Sequence, residues 1–140
     1  VAAVTYPDGK GATLHRTYLT SDGRKADVPA AKKLMPGKAL QTACIKLGGY
    51  TDAIGIAEGI ETALAASMRF GVPVWSCVSS SLMESWVQPA GVKRVIVFGD
   101  NDAKFGGQAA AYRIAHKLAC AGLSVEVRIP EQVGKDWADV

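Results

Sequence analysis

Twice in this 140-residue chain a short apolar run ends in acidic residues and gives way at once to a segment rich in small side chains. Ile54 to Ala57 leads to Glu58, after which Ile60, Ala63, Leu64, Ser67 and Met68 recur at the spacing of one helix face. Val95 to Phe98 leads through Gly99 to Asp100 and Asp102. Continuous apolar strands that alternate with helices predict a parallel sheet covered on both faces, because a crossover helix returns the chain to a parallel neighbour. Open sheets of this kind gather functional side chains at the carboxyl ends of their strands, and both acidic groups fall there.

The remaining punctuation extends the pattern. Gly71 and Pro73 stop the first helix, Val72 to Val78 predicts another strand, and Ser79 to Trp86 reads as a loop leading into one helical turn. Ala111, Ile114, Ala115 and Leu118 mark one face of a helix ended by Gly122, while Val125, Val127 and Ile129 alternate with Glu126 and Arg128 as in an edge strand. Upstream, Ala2 to Leu19 reads as a hairpin turning at Pro7-Asp8-Gly9-Lys10-Gly11, and Ser21-Asp22-Gly23-Arg24 as a second turn. The stretch from Ala30 to Gly49 carries no readable element. The expectation is a β-rich segment over residues 1–50 and an α/β core over residues 51–140.

With 49% apolar residues the chain can bury one substantial core, and no apolar run approaches the ~20 residues of a membrane helix. The Val1 start lacks Met and shows no signal-peptide pattern, so the chain reads as a piece of a longer cytoplasmic protein with flanking domains and no membrane partner. A net charge of +3 permits contact with nucleic acid without the basic bias of a dedicated DNA-binding module. Cys44, Cys77 and Cys120 are odd in number and lack zinc spacing, which predicts buried thiols in a reducing compartment.

Asp100 or Asp102 could simply cap the following helix, but a cap needs only one of them. Two Asp at alternate positions of an extended segment share a side, with Gly99 allowing close approach, and the mutual repulsion of unpaired carboxylates is relieved by a hard divalent cation. Glu58 is placed at the strand end, whereas Glu61 lies in the first helical turn where the dipole alone accounts for it. Asp136 and Asp139, around Trp137, form a third acidic loop and a candidate outer metal site. Lys104 is placed to meet a phosphate at the helix start near Gly106 and Gly107, and the pairs Arg24-Lys25, Lys32-Lys33 and Lys93-Arg94 are candidate phosphate contacts or solvated surface. His15 and His116 have no ligand partners at useful spacing. Ser79, Ser80 and Ser81 lack a nucleophile setting.

These residues together resemble the Toprim domain of bacterial-type primases, topoisomerases and some nucleases. The resemblance rests on Glu58-Gly59 with Glu61 after the first core strand and on Asp100-Asn101-Asp102 after a later one. Glu58 to Leu64, Arg16-Thr17-Tyr18-Leu19, Asp22 to Ala26 and Asp136-Trp137-Ala138-Asp139 look most like primases of phages, plasmids and integrated elements, whose closing motif usually has Asn where Ala138 stands. The resemblance implies a four-stranded, mostly parallel sheet flanked by helices and preceded by a small β-rich segment. It assigns catalytic duty to Glu58, Asp100 and Asp102, which would hold Mg2+ or Mn2+, with Asp136 and Asp139 as auxiliary metal ligands.

The implied reaction is RNA primer synthesis from nucleoside triphosphates on a single-stranded DNA template, with helicase or zinc-binding domains flanking the site. Glu58 could instead move a proton, as this Glu does in topoisomerases. Two other outcomes share the same residues: a nuclease that hydrolyses the phosphodiester, and a non-catalytic module that holds DNA or nucleotide beside a helicase. A haloacid dehalogenase-type phosphatase is disfavoured because Lys104 stands where a hydroxyl residue is needed.

Overall fold

The computed structural model describes residues 1–37 and 39–140. An antiparallel sheet of β1 (Ala2–Thr5), β2 (Gly11–Thr17) and β3 (Lys32–Leu34) precedes a parallel sheet. The latter is built from β4 (Ala53–Ala57), α1 (Ile60–Phe70), β5 (Val74–Ser76), α2 (Ser80–Ser85), β6 (Arg94–Phe98), α3 (Gly106–Cys120) and β7 (Ser124–Arg128), in the strand order β5-β4-β6-β7.

Alternation along β4 and β6 divides the core between the two faces. Ile54, Ile56, Val95 and Val97 pack with α2 and α3 through Met83, Trp86, Ala111, Ile114 and Leu118. Ala57, Ile96 and Phe98 face the other way, against Ala63 and Ala66 of α1. Gly55 makes that second layer possible, since a Cβ there would lie 2.8 Å from the Phe98 ring and 2.7 Å from Val74.

The helices stop where their sequences say. Gly71 takes the left-handed conformation after α1, with its N–H on Ser67 O. After α3, Gly122 and Leu123 donate to Ala119 O and Leu118 O, closing the last turn with the paired bonds that a glycine after the helix permits. Ser79 caps α2 by accepting from the Leu82 N–H, a structural use for a serine that has no nucleophilic setting. No helix among the described residues is long and apolar enough to cross a membrane.

The structure departs from the sequence reading in three places. The region from Ala30 to Gly49 contains β3, whose three exposed residues include two lysines and so carry no apolar alternation. It also supplies Cys44 and Ile45, which bridge to Thr5 and Ser76 and tie the two sheets together. The strand expected over Val72 to Val78 shortens to Val74–Ser76, because Pro73 has no N–H to pair and Val78 turns to a φ of 72°. Cys44 and Cys77 are buried, but Cys120 is exposed at the end of α3.

Candidate active site

Strands β4 and β6 lie side by side with Ala57 opposite Phe98, so the residues that follow them leave the sheet together. The chain moves from β4 to β5 in one direction and from β5 back past β4 to β6 in the other. That reversal opens a crevice between the carboxyl ends of β4 and β6, the place where open α/β sheets bind ligands. Glu58 and Asp100 stand at its two sides.

The carboxylates crowd one another. Burial, followed by repulsion from Asp136, Glu58 and Asp102, pushes Asp100 up to about 7. Glu58 is also raised, first by burial and then by Asp102, with a Ser80 N–H and Lys32 acting in the opposite direction. Asp100 Oδ1 is buried with no hydrogen-bond partner among the described residues. A desolvated carboxylate oxygen without a donor, among like charges, suits a hard cation better than any neutral occupant. Among the described residues, however, no three His, Cys, Asp or Glu side chains stand close enough to hold one ion as placed. The arrangement is a repelling group of acids rather than a closed ligand set.

Asp102 does not extend alongside Asp100 as an alternating strand pattern predicts. It turns to the start of α3, where its Oδ2 accepts the Gly107 N–H at 2.7 Å. That bond fills the helix-start amide expected to meet a phosphate beside Lys104, so the anion site proposed there is already taken by a carboxylate; Lys104 itself is exposed. Gly99 also serves a different purpose. A Cβ at Gly99 would lie 2.9 Å from Ala111 Cβ, so this glycine lets α3 pack on the sheet. Close approach to Asp100 is the work of Gly107, where a Cβ would lie 2.7 Å from the Asp100 carbonyl oxygen.

The closing loop is tied to the rim through Asn101. Its backbone N–H donates to Lys135 O, its carbonyl accepts from the Gly134 N–H, and its side-chain amide donates to Pro130 O at 2.7 Å. Asp136 is thereby brought to α1, where buried Thr62 donates to its Oδ2 at 3.2 Å. Asp139 is exposed and accepts the Asp136 N–H, so it shapes the loop. Trp137 packs at the edge of Phe70 and Phe98, with its indole N–H on Arg128 O. In the sequence Thr62 carries one signal, a polar residue among the small side chains of α1.

The candidate cations separate. Lys32 of β3 reaches Glu61 at 2.8 Å and its charge is felt by both Glu58 and Asp100. The absence of Lys or Arg from the acidic motifs therefore concealed a cation supplied by another sheet. Lys33 points to the opposite side of the same strand, beside a cavity bounded by Tyr18, Val28 and Pro29. Lys93 precedes β6 and Arg94 begins it, roughly 20 Å from Asp100 at the rise of an extended strand, and Arg94 pairs with Glu126. They do not belong to the acidic rim. His15 is buried on β2 and is held below its ordinary range by burial and then by Lys32.

A cavity of about 360 Å³ between Arg69, Pro130 and Trp137 lies behind the closing loop and includes none of the three leading acids.

Comparison with known proteins bears on the family and the fold. A family model described as a Toprim domain matches residues 53–140, and another, described as a domain of unknown function (DUF7146), matches residues 1–45. No curated protein matches the chain. Among solved structures, a DNA primase domain from Pseudomonas aeruginosa is similar at 15% identity and a TM-score of 0.58, over 99% of this chain and 51% of that one. A DnaG primase catalytic domain bound to ssDNA is similar at 12% identity and a TM-score of 0.58, over 99% and 52%. The RNA polymerase domain of Mycobacterium tuberculosis primase DnaG is similar at 16% identity and a TM-score of 0.56, over 98% and 48%. The chain thus spans about half the length of these solved chains and shares their fold.

Proposed function

The chain belongs to the Toprim domain family, and from that membership we propose that it carries the nucleotidyl-transfer site of a primase, which builds an RNA primer on single-stranded DNA. The observation that carries this reading is Asp100: a carboxylate with one oxygen buried and unpartnered, crowded by Glu58, Asp102 and Asp136 at the carboxyl rim of the sheet.

Glu58, Asp100, Asp102 and Asp136 would hold Mg2+ or Mn2+, with Asp139 ordering the loop. When bound, such ions neutralise phosphate charge and activate the attacking hydroxyl. The chain's own residues do the rest. Asp100 contributes the oxygen that no donor among the described residues satisfies. Glu58, whose proton affinity is raised by burial and by Asp102, can receive or return a proton at its carboxyl oxygens as a 3′-hydroxyl attacks the α-phosphorus and pyrophosphate leaves. Lys32 presents an ammonium beside the acids for a phosphate oxygen, and Thr62 and Asn101 fix the loop bearing Asp136.

A similar fold has been solved as a primase domain bound to ssDNA, which supports single-stranded DNA as the template. The two family matches, at residues 1–45 and 53–140, support a division of the chain near residue 50. Helicase or zinc-binding neighbours, a mobile-element origin and a cytoplasmic setting complete the proposal.

The test is to incubate the full-length protein with labelled single-stranded DNA, ribonucleotides and Mg2+ or Mn2+. Primer synthesis lengthens products and a nuclease shortens them. Glu58→Gln and Asp100→Asn should each abolish lengthening; a product pattern identical to the parent's in Asp100→Asn would sink the assignment.

A further inference from the structure

Phe105 combines two unfavourable properties at one position. Its backbone is left-handed, with φ 61° and ψ 18°, and its side chain is 70% exposed. A bulky residue at positive φ is strained, where Gly or Asn would make the same turn at lower cost. A ring this exposed recovers little of that cost through burial. Among the described residues, Phe105 belongs to none of the apolar clusters and none of the aromatic pairs.

The ring is nonetheless firmly presented. The Phe105 N–H donates to Asp102 O at 3.0 Å, and the Phe105 carbonyl accepts the Ala109 N–H at 2.9 Å. Asp102 is itself fixed to Gly107 through its Oδ2. Strain held in place beside a chemical site, with no packing return, is the circumstance in which a function for the strained residue is indicated. Exposed Lys104 precedes it, so an aromatic ring and an ammonium are carried on adjacent exposed residues of the turn that follows Asp102. A flat π face next to a cation is the pairing that receives an unpaired base and its phosphate.

We infer that Phe105 is a base-stacking platform, which holds a nucleobase of the template or of the incoming nucleotide against the lip of the rim. This rests on the nucleotidyl-transfer reading and adds to it a contact for the base.

The test measures binding without turnover, in EDTA or Ca2+, using the full-length protein. The probes are a fluorescein-labelled single-stranded oligonucleotide, the same oligonucleotide with an abasic position moved along it, and a fluorescent nucleoside triphosphate. Phe105→Leu removes the π face but keeps the strain, and should weaken one probe about tenfold, the scale of lost base–aromatic stacking, with Tm unchanged. Phe105→Gly should weaken the same probe while raising Tm by about 3 °C through relief of strain. Phe105→Trp should bind as the parent does. Loss confined to the oligonucleotide, and absent when the abasic position meets the ring, identifies the template base; loss confined to the triphosphate identifies the incoming base. A parent that binds both probes while Phe105→Leu and Phe105→Gly bind equally well overturns the inference alone. A parent that binds neither overturns it together with the proposed function.

Discussion

Lys32 and Glu61 meet at 2.8 Å across the boundary between the small antiparallel sheet and the parallel core. The pair is only half buried, so its direct contribution to stability is small, about 0.5 kcal/mol. Its position matters more. Lys32 lowers the proton affinity of both Glu58 and Asp100, which makes the amino-terminal sheet part of the electrostatics of the rim.

Lys32→Met should therefore raise the apparent pKa values of Glu58 and Asp100 together while changing unfolding free energy by no more than about 0.5 kcal/mol. Carboxyl carbon chemical shifts followed by NMR through a pH titration would measure this. Unmoved midpoints would show that Lys32 is electrostatically remote from the acids.

Asp100 binds its proton more tightly in the folded chain, at about 7, than in the unfolded chain, near its ordinary 3.8. In the metal-free protein that preference favours folding fully at low pH, below the unfolded value, and the contribution disappears as pH rises through about 7. Asp100→Asn should accordingly stabilise the metal-free protein at pH 8 by about 1–2 kcal/mol after solvent screening. Near pH 4 the gain should vanish. Urea unfolding at the two pH values in EDTA would detect the difference, and Mn2+ should stabilise the parent at pH 8 more than it does Asp100→Asn.

Gly107→Ala sets two effects against each other. Alanine improves intrinsic helix propensity by up to about 1 kcal/mol, but its Cβ would lie 2.7 Å from Asp100 O and 3.0 Å from Asp100 Cβ. Backbone and Cβ cannot swing aside as a flexible side-chain end does, so overpacking should win, with a net loss of about 1–2 kcal/mol. Equilibrium denaturation reports that loss. Titration of the same variant with Mn2+ should show weakened affinity, because Asp100 must shift.

Thr62→Val keeps the shape of a buried side chain but removes the hydroxyl that holds Asp136. The expected loss is about 1 kcal/mol, concentrated in the closing loop. Hydrogen exchange should accelerate at the Gly134 and Asn101 amides, which bond across the loop base, while β4 and β6 remain protected. Uniform acceleration would instead mean that the hydroxyl supports the whole core.

Strands and helices of the core were legible because their signals are local. The runs around Ile56 and Val97 are apolar on both faces, and Gly71 and Gly122 end helices through a backbone conformation that glycine adopts freely. What escaped depends on distant partners. Lys32 reads as a phosphate contact or solvated charge, with no acidic neighbour in its own motif, until β3 pairs with β2 through Thr17 and brings it to Glu61. Arg94 reads as a phosphate contact until its place at the amino end of β6 shows that Glu126 is its neighbour. The alternation of Asp100 and Asp102 predicts a strand, but β6 ends at Phe98 and the chain then curls to satisfy the amide of Gly107. Acidic composition and spacing located the rim; which oxygen lacks a donor follows only from three-dimensional packing.

Ile45 and Ser76 exchange N–H and C=O groups at 2.7 and 3.1 Å, so the segment before the core lies along the outer margin of β5. Trimming the protein to the span of its core family match would strip that margin bare. The exposed strand would then be a template for pairing with another molecule, and such a truncation is expected to self-associate. Production of a minimal core should therefore retain residues from about Ala43 onward, or disguise the margin of β5 with charge.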